Sequence, residues 1–323
     1  MQPYELGELH LRHLLALQAI SEEGSFWAAA ERLGCSQAAL SQQLSTLERI
    51  LDTRLVERSR GKRKVEITEA GRLLLRHAKV IVARLQAVHA DFTAFSEGKA
   101  GVLRVGTFES SGTRILPAVV RQFRQRWPQV DLRLTEMAKD DELLALVERG
   151  ELDACFSILP LPDGPFEWVK LLDDPYVAVV TRDNPPQFGD RRRPLTLTDL
   201  QELPLVTFGE GRSVEQFEAF VRSRGVDLNV VFRSNYNGTV QGLAAGGGVA
   251  ALATLLTTNT SLPTTRILGP ISDLPPRVVG LAWHRDRFHP RSLDAFVETT
   301  RGVCEELQRA GEALLRKHKP RRT

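Results

Sequence analysis

Ser36, Gln37, Ala38, Ser41, Gln42 and Ser45 recur at a spacing that places them on one side of a helix. Glutamine amides donate and accept side by side, and short hydroxyls bond either partner, so such a face suits base edges and phosphates in a major groove. Leu40, Leu44, Leu47 and Leu51 recur at four, three and four residues and mark the opposite, apolar side. A second chemistry follows in RLVERSRGKRK, where Arg54, Arg58, Arg60, Lys62, Arg63 and Lys64 stand against the single acid Glu57. Cations gathered in this way neutralise phosphates and release their counterions.

Two helices and a hairpin must hold these groups. The segment GSFWAAAERLGCSQAALSQQLSTLE opens with Ser25 as a cap, carries the small residues Ala28, Ala29 and Ala30, closes at Leu33 and turns at Gly34. A second helix starts at Ser36, which completes a helix-turn-helix. Leu55-Val56 and Val65-Glu66-Ile67 flank a turn at Gly61, so the basic run forms the tip of a hairpin. Separately, a polar helix face and a charge run are ordinary solvated surface. Adjacent in this order they read as a DNA reader with a wing on the phosphate backbone.

On these motifs residues 9 to 71 resemble the winged helix-turn-helix of the LysR-type transcriptional regulators. The leading helix LHLRHLLALQAI, the EEGSF and AAERL pieces, the SQ, ALS and QL pieces ending in Leu47-Glu48, and Thr68-Glu69-Ala70-Gly71 occur in the family's order. The chain departs from it at Ala38, where the family often has Pro or Ser, and at Gln42, where a basic residue is frequent. An amide at Gln42 removes one charge-assisted contact, so operator preference is expected to be this chain's own there.

Composition narrows the alternatives. A chain of 323 residues accommodates two or three domains, and its net charge of +3 makes the basic surface local rather than general. Cys35, Cys155 and Cys304 are far apart and odd in number, which argues against a disulfide framework or a paired-cysteine metal site and for a reducing, cytoplasmic compartment. Cys155 lies in the apolar run LDACFSI and reads as a core residue; a peroxide-sensing role would want a partnered, accessible thiol. Glu5 and Glu8 interrupt any secretory pattern near Met1, and the apolar stretch from Gly242 to Leu256 is shorter than the ~20 residues that span a bilayer, so no membrane association is expected. His10 and His13 lack a further ligand and read as solvent-facing or partly packed, with no metal and no cofactor implied. Gly246-Gly247-Gly248 lacks dinucleotide-loop spacing and reads as a turn. With no nucleophile elbow, zinc motif or phosphate loop, an enzyme is not expected.

From Thr68 to Gly98 few breakers occur, and Leu74, Ala78, Ile81, Leu85, Val88, Phe92 and Phe95 alternate spacings of four and three. Such a heptad seam requires a partner helix, and a helix of roughly 30 residues extends ~45 Å. The resemblance implies that Leu74, Ile81, Leu85, Val88, Phe92 and Phe95 dimerise two chains. A pair of readers at fixed spacing implies an inverted-repeat operator.

Beyond Gly101 strands and helices alternate, with strands expected at 102–108, 130–134, 154–158, 176–181, 205–208, 230–232, 249–252 and 278–283. That rhythm predicts two α/β units with mainly parallel sheets. The resemblance implies a regulatory region like a periplasmic solute-binding protein, with a ligand cleft between two subdomains. The expected organisation is a winged domain at 1–67, a linker and dimerisation helix at 68–98, an effector-binding domain at 101–315 and a basic tail at 316–323. Within the effector domain, 101–171 with 273–315 form one subdomain and 172–272 the other. Ligands of such units lie beyond the carboxyl ends of strands, which selects Thr107, Phe108, Ser110, Ser111 and Ser157 in one subdomain and Thr207, Phe208 and Gly209 in the other. Ser110 and Ser111, at a helix start, would hold a carboxylate or phosphate, or serve only as helix caps.

The resulting expectation is a DNA-binding regulator that answers a small-molecule effector and assembles as a homotetramer, with RNA polymerase as a further candidate partner. The competing class is a cytosolic small-molecule-binding protein with weakened or no sequence-specific DNA reading, favoured only by the missing basic residue at Gln42.

Overall fold

The computed structural model describes residues 8–57, 65–97, 101–183 and 194–317, and the chain forms two compact bodies, residues 1–90 and 91–323. The expected wing-tip cations Arg58, Arg60, Lys62, Arg63 and Lys64, the side chain of Phe95 and the basic tail from residue 318 onward lie outside the described residues.

In the first body α1 (Leu11–Glu23), α2 (Phe26–Arg32) and α3 (Gln37–Ile50) pack around a core of Leu17, Ile20, Ala29, Ala30, Leu40, Leu44 and Leu47. Ser25 and Ser36 cap α2 and α3, their hydroxyls accepting from the amides of Ala28 and Ala39. Two short antiparallel strands follow, β1 (Val56–Glu57) and β2 (Glu66–Ile67). Glu48 at the end of α3 accepts from the Leu55 and Val56 amides at 2.8 and 3.3 Å, so α3 also anchors the start of the hairpin.

Thr68 caps the long helix α4 (Glu69–Glu97): its hydroxyl accepts from Gly71 N at 3.0 Å and donates to the Arg54 carbonyl at 2.8 Å. A Cβ on Gly71 would run into the Leu55 carbonyl oxygen. Only glycine lets the helix start this close to the hairpin.

The second body carries two five-stranded sheets of the same design. β3 (Val102–Thr107), β4 (Asp131–Glu136) and β5 (Ala154–Leu159) are parallel in the order β4-β3-β5; β6 (Phe166–Asp174) and β12 (Arg277–His284) complete that sheet as β5-β12-β6, with β12 antiparallel to both neighbours. In the other sheet β8 (Leu205–Phe208), β9 (Val230–Ser234) and β10 (Ala250–Thr254) are the parallel trio, and β7 (Tyr176–Thr181) runs antiparallel to both β10 and β11 (Thr265–Leu268). The expectation of mainly parallel sheets is thereby corrected to mixed ones. β7 and β12, each the first strand after a passage from one sheet to the other, are the strands that run antiparallel to both neighbours.

The crossings are Pro175, between β6 and β7, and residues 269–276, between β11 and β12. The boundaries drawn at 171/172 and 272/273 fall inside β6 and inside the second crossing. Helices α5 (Glu109–Arg114), α6 (Leu116–Arg126) and α7 (Asp140–Arg149) belong to the first sheet; α8 (Leu197–Leu200), α9 (Arg212–Ser223) and α10 (Asn237–Gly246) belong to the second. The last helix, α11 (Arg291–Lys317), packs Phe296 and Val303 into the first sheet's core and Leu315 against Val177 and Val179 of the second.

Candidate functional site

Two places in the molecule present chemistry. On α3 the leucines at 40, 44 and 47 are fully buried, which turns the other side outward: Ser36, Gln37, Ala38, Gln42 and Ser45 are exposed or half-buried, as is Ser41. Together they form a strip of amides and hydroxyls turned toward solvent. Trp27, on α2, is 66% exposed, an aromatic that the small-residue reading of that helix passed over.

His13 is buried in α1 rather than facing solvent, its Nδ1 accepting from the His10 amide at 3.2 Å. Burial, with the neighbouring charges of Arg12 and His10, holds its pKa below the ordinary value. Among the described residues no group of three or more His, Cys, Asp or Glu side chains is placed to hold a metal.

The second place is a cavity between the two sheets of the second body. Phe108 and Ser110 reach it from the end of β3, and Thr207 and Phe208 from the end of β8. Thr107, Ser111, Ser157 and Gly209 are not part of that lining. Thr107 and Ser111 are buried and bond one another at 2.8 Å, with Ser111 Oγ donating to the Phe108 carbonyl, which makes them part of the local turn. Ser157 is buried and donates to Asp140 at 2.7 Å.

Side chains from the first residues of β7 and β12 and from helices α9 and α10 also line the cavity, among them Tyr176, Arg212, Phe217, Asn237 and Arg277. Burial raises the Tyr176 phenol to about 12. Arg277 donates to Asp174 at 2.5 Å and to Ser110 Oγ at 3.0 Å, while Asp174 also accepts from Leu256 N. Strand-end reasoning missed these residues because their distance in sequence hides their meeting.

The walls are tied across the opening. Asn237 donates to Glu109 at 2.8 Å, Lys139 pairs with Glu210 at 2.9 Å, and Arg212 pairs with Asp140 at 2.6 Å. The hydrogen bond and charge of the partner raise the Lys139 pKa and lower that of Glu210.

A winged helix-turn-helix with an outward amide face and a two-sheet binding cleft in one chain define a ligand-responsive DNA-binding regulator. Sequence comparison agrees. Residues 11–72 match the bacterial regulatory helix-turn-helix proteins of the lysR family, and residues 96–305 match the LysR substrate binding domain. The chain belongs to the LysR family and is a transcriptional regulator of that type.

It is 29% identical to the HTH-type transcriptional regulator IlvR of Caulobacter vibrioides, over 87% of this chain and 94% of that one. It is 28% identical to a hydrogen peroxide-inducible genes activator of Dickeya chrysanthemi, over 83% and 85%. A mutant of OxyR from Corynebacterium glutamicum shares the fold at 25% identity, with a TM-score of 0.59 over 94% of each chain. No described helix is long and apolar enough to cross a membrane.

Proposed function

We propose that the chain reads an inverted-repeat operator through paired copies of α3, and that a small effector seated between the two sheets of the second body sets its affinity or geometry on DNA. The observation that carries this reading is α3 itself, whose apolar side is fully buried while Gln37 and Gln42 face outward. Gln37 and Gln42 are the base readers, Ser36, Ala38, Ser41 and Ser45 flank them, and Arg58, Arg60, Lys62, Arg63 and Lys64 neutralise phosphate.

Pairing uses α4. Ile81, Leu85, Val88 and Phe92 are 42, 47, 44 and 70% exposed, an apolar stripe on a long helix that a second copy covers. Two such pairs make the tetramer, and the protein works in the cytoplasm where its DNA is. No enzymatic step belongs to this reading.

The effector lies among Phe108, Ser110, Thr207 and Phe208. It shifts the protein only through a difference in affinity between two arrangements of the subdomains. The peroxide response named for the Dickeya relative does not extend to Cys155 and Cys304. A thiolate attacks peroxide; both thiols are fully buried, and burial pushes the Cys155 pKa up and that of Cys304 up to about 12.

Binding to DNA from upstream of the protein's own gene, measured over a range of salt, tests the assignment. Replacing two wing cations with alanine is expected to reduce the log–log salt slope by about 0.9 for each phosphate left without its cation. An unchanged slope contradicts the wing's role, and no binding at low salt supports the sequestering protein instead.

A further inference from the structure

Arg212 is the first residue of α9 and follows Gly211, whose φ of 118° favours glycine. Its guanidinium crosses the cleft. Nη1 donates to Asp140 at 2.6 Å and to Ser157 Oγ at 3.3 Å; Nη2 donates to the Ile158 carbonyl at 2.8 Å and to the Pro160 carbonyl. One carboxylate, one hydroxyl and two carbonyls therefore converge on a single planar cation. All four belong to the first sheet's side: Asp140 opens α7, Ser157 and Ile158 are in β5, and Pro160 follows it.

Asp140 also has partners on its own wall. Asp140 is buried, and its Oδ2 also accepts from the Ser157 hydroxyl at 2.7 Å and the Ile158 amide at 2.9 Å. These two donors come from the first sheet's side and are independent of Arg212. An oxygen-lined pocket with one fixed negative charge matches a guanidinium or ammonium and repels an anion.

We propose that this seat is a cation-recognition subsite of the cleft, filled at rest by the protein's own Arg212, and that the ligand it takes carries a guanidinium or alkylammonium group which displaces Arg212. The inference rests on the cleft being the effector site. Arg212 is a tethered competitor present at high effective concentration, so a free ligand must outbid it. Displacement removes the tie between Arg212 and the opposite wall. Entry is thereby linked to separation of the two sheets, which is the differential interaction that a switch requires.

Ethylguanidinium at low millimolar concentration is the probe, with propionate as the anionic counterpart, and calorimetry and thermal shift on the full chain are the readouts. Arg212→Ala is expected to bind ethylguanidinium at least about tenfold more tightly than wild type, because the tethered competitor is gone. Arg212→Ala/Asp140→Asn is expected to lose that binding. Arg212→Gln repeats the comparison should the alanine variant fold poorly.

Equal or absent ethylguanidinium binding in wild type, Arg212→Ala and Arg212→Gln overturns the proposal. So does propionate binding that wild type shows and Arg212→Ala loses, because Arg212 would then be an anion holder. DNA affinity, read separately, distinguishes the two levels: cation binding without any effect on DNA removes the regulatory reading and leaves the subsite standing.

Discussion

His13 illustrates how a single side chain ties the reader's stability to pH. Burial beside Arg12 and His10 keeps its folded pKa below 6.5, while in the unfolded chain it titrates at that ordinary value. Between the two values the unfolded chain binds more protons, so stability rises with pH there. The contribution of neutral His13 is complete above 6.5 and is lost as pH falls below it toward the folded pKa. Chemical denaturation of the full chain followed by a probe in the first body should show this fall, and His13→Gln should flatten it; identical profiles would contradict the assignment. One histidine on an amphipathic helix carries no sign of which flank is covered, so its burial is not legible in the sequence. Ser25, Ser36 and Thr68 are legible as caps, since each is a short hydroxyl just before a helical run.

α4 carries a run of exposed apolar residues that the single chain does not cover. Ala78 is buried and Leu74 packs partly against the winged core, whereas Ile81, Leu85, Val88 and Phe92 remain exposed. Leu85→Asp places a charge in that stripe and should shift the protein from dimer or tetramer toward monomer in sedimentation velocity, with weakened operator binding. An unchanged assembly would move the interface elsewhere.

Elements with strong periodicity are readable in the sequence: α3, α4, the trio β3, β4 and β5, and the apolar side of α11. α10 is not, because Gly238, Gly242 and Gly246 interrupt its pattern, and neither is β6, whose FEWVKLLDD does not alternate. β11 is only four residues long and is held as a strand by its pairing with β7. α11 runs beyond residue 305, where the family match ends, and its Leu315 joins the second sheet's core. A local pattern cannot tell that one helix serves both sheets.

The assembled protein combines two functions whose residues follow different rules of visibility. The outward face of α3 comes from one helix, so the strip from Ser36 to Ser45 is legible in spacing, and the adjacent basic run is what makes it read as a DNA face. The cleft draws Ser110, Thr207, Arg212, Asn237 and Arg277 from distant parts of the chain, so strand ends locate part of it and its charged ties emerge only in three dimensions. Family membership fixes the general activity, while the seat around Arg212 and the amide at Gln42 are the positions proposed to set this chain's own specificity.

DNA reading by α3 is tested most directly by the affinity of the full chain for its own upstream DNA and for a scrambled fragment at one salt concentration, comparing wild type with Gln37→Ala. Removing one base reader should weaken binding to the upstream fragment by about 1–3 kcal/mol while leaving the scrambled fragment nearly unchanged. Equal affinities of the two proteins on both fragments would contradict the claim that this face of α3 reads DNA.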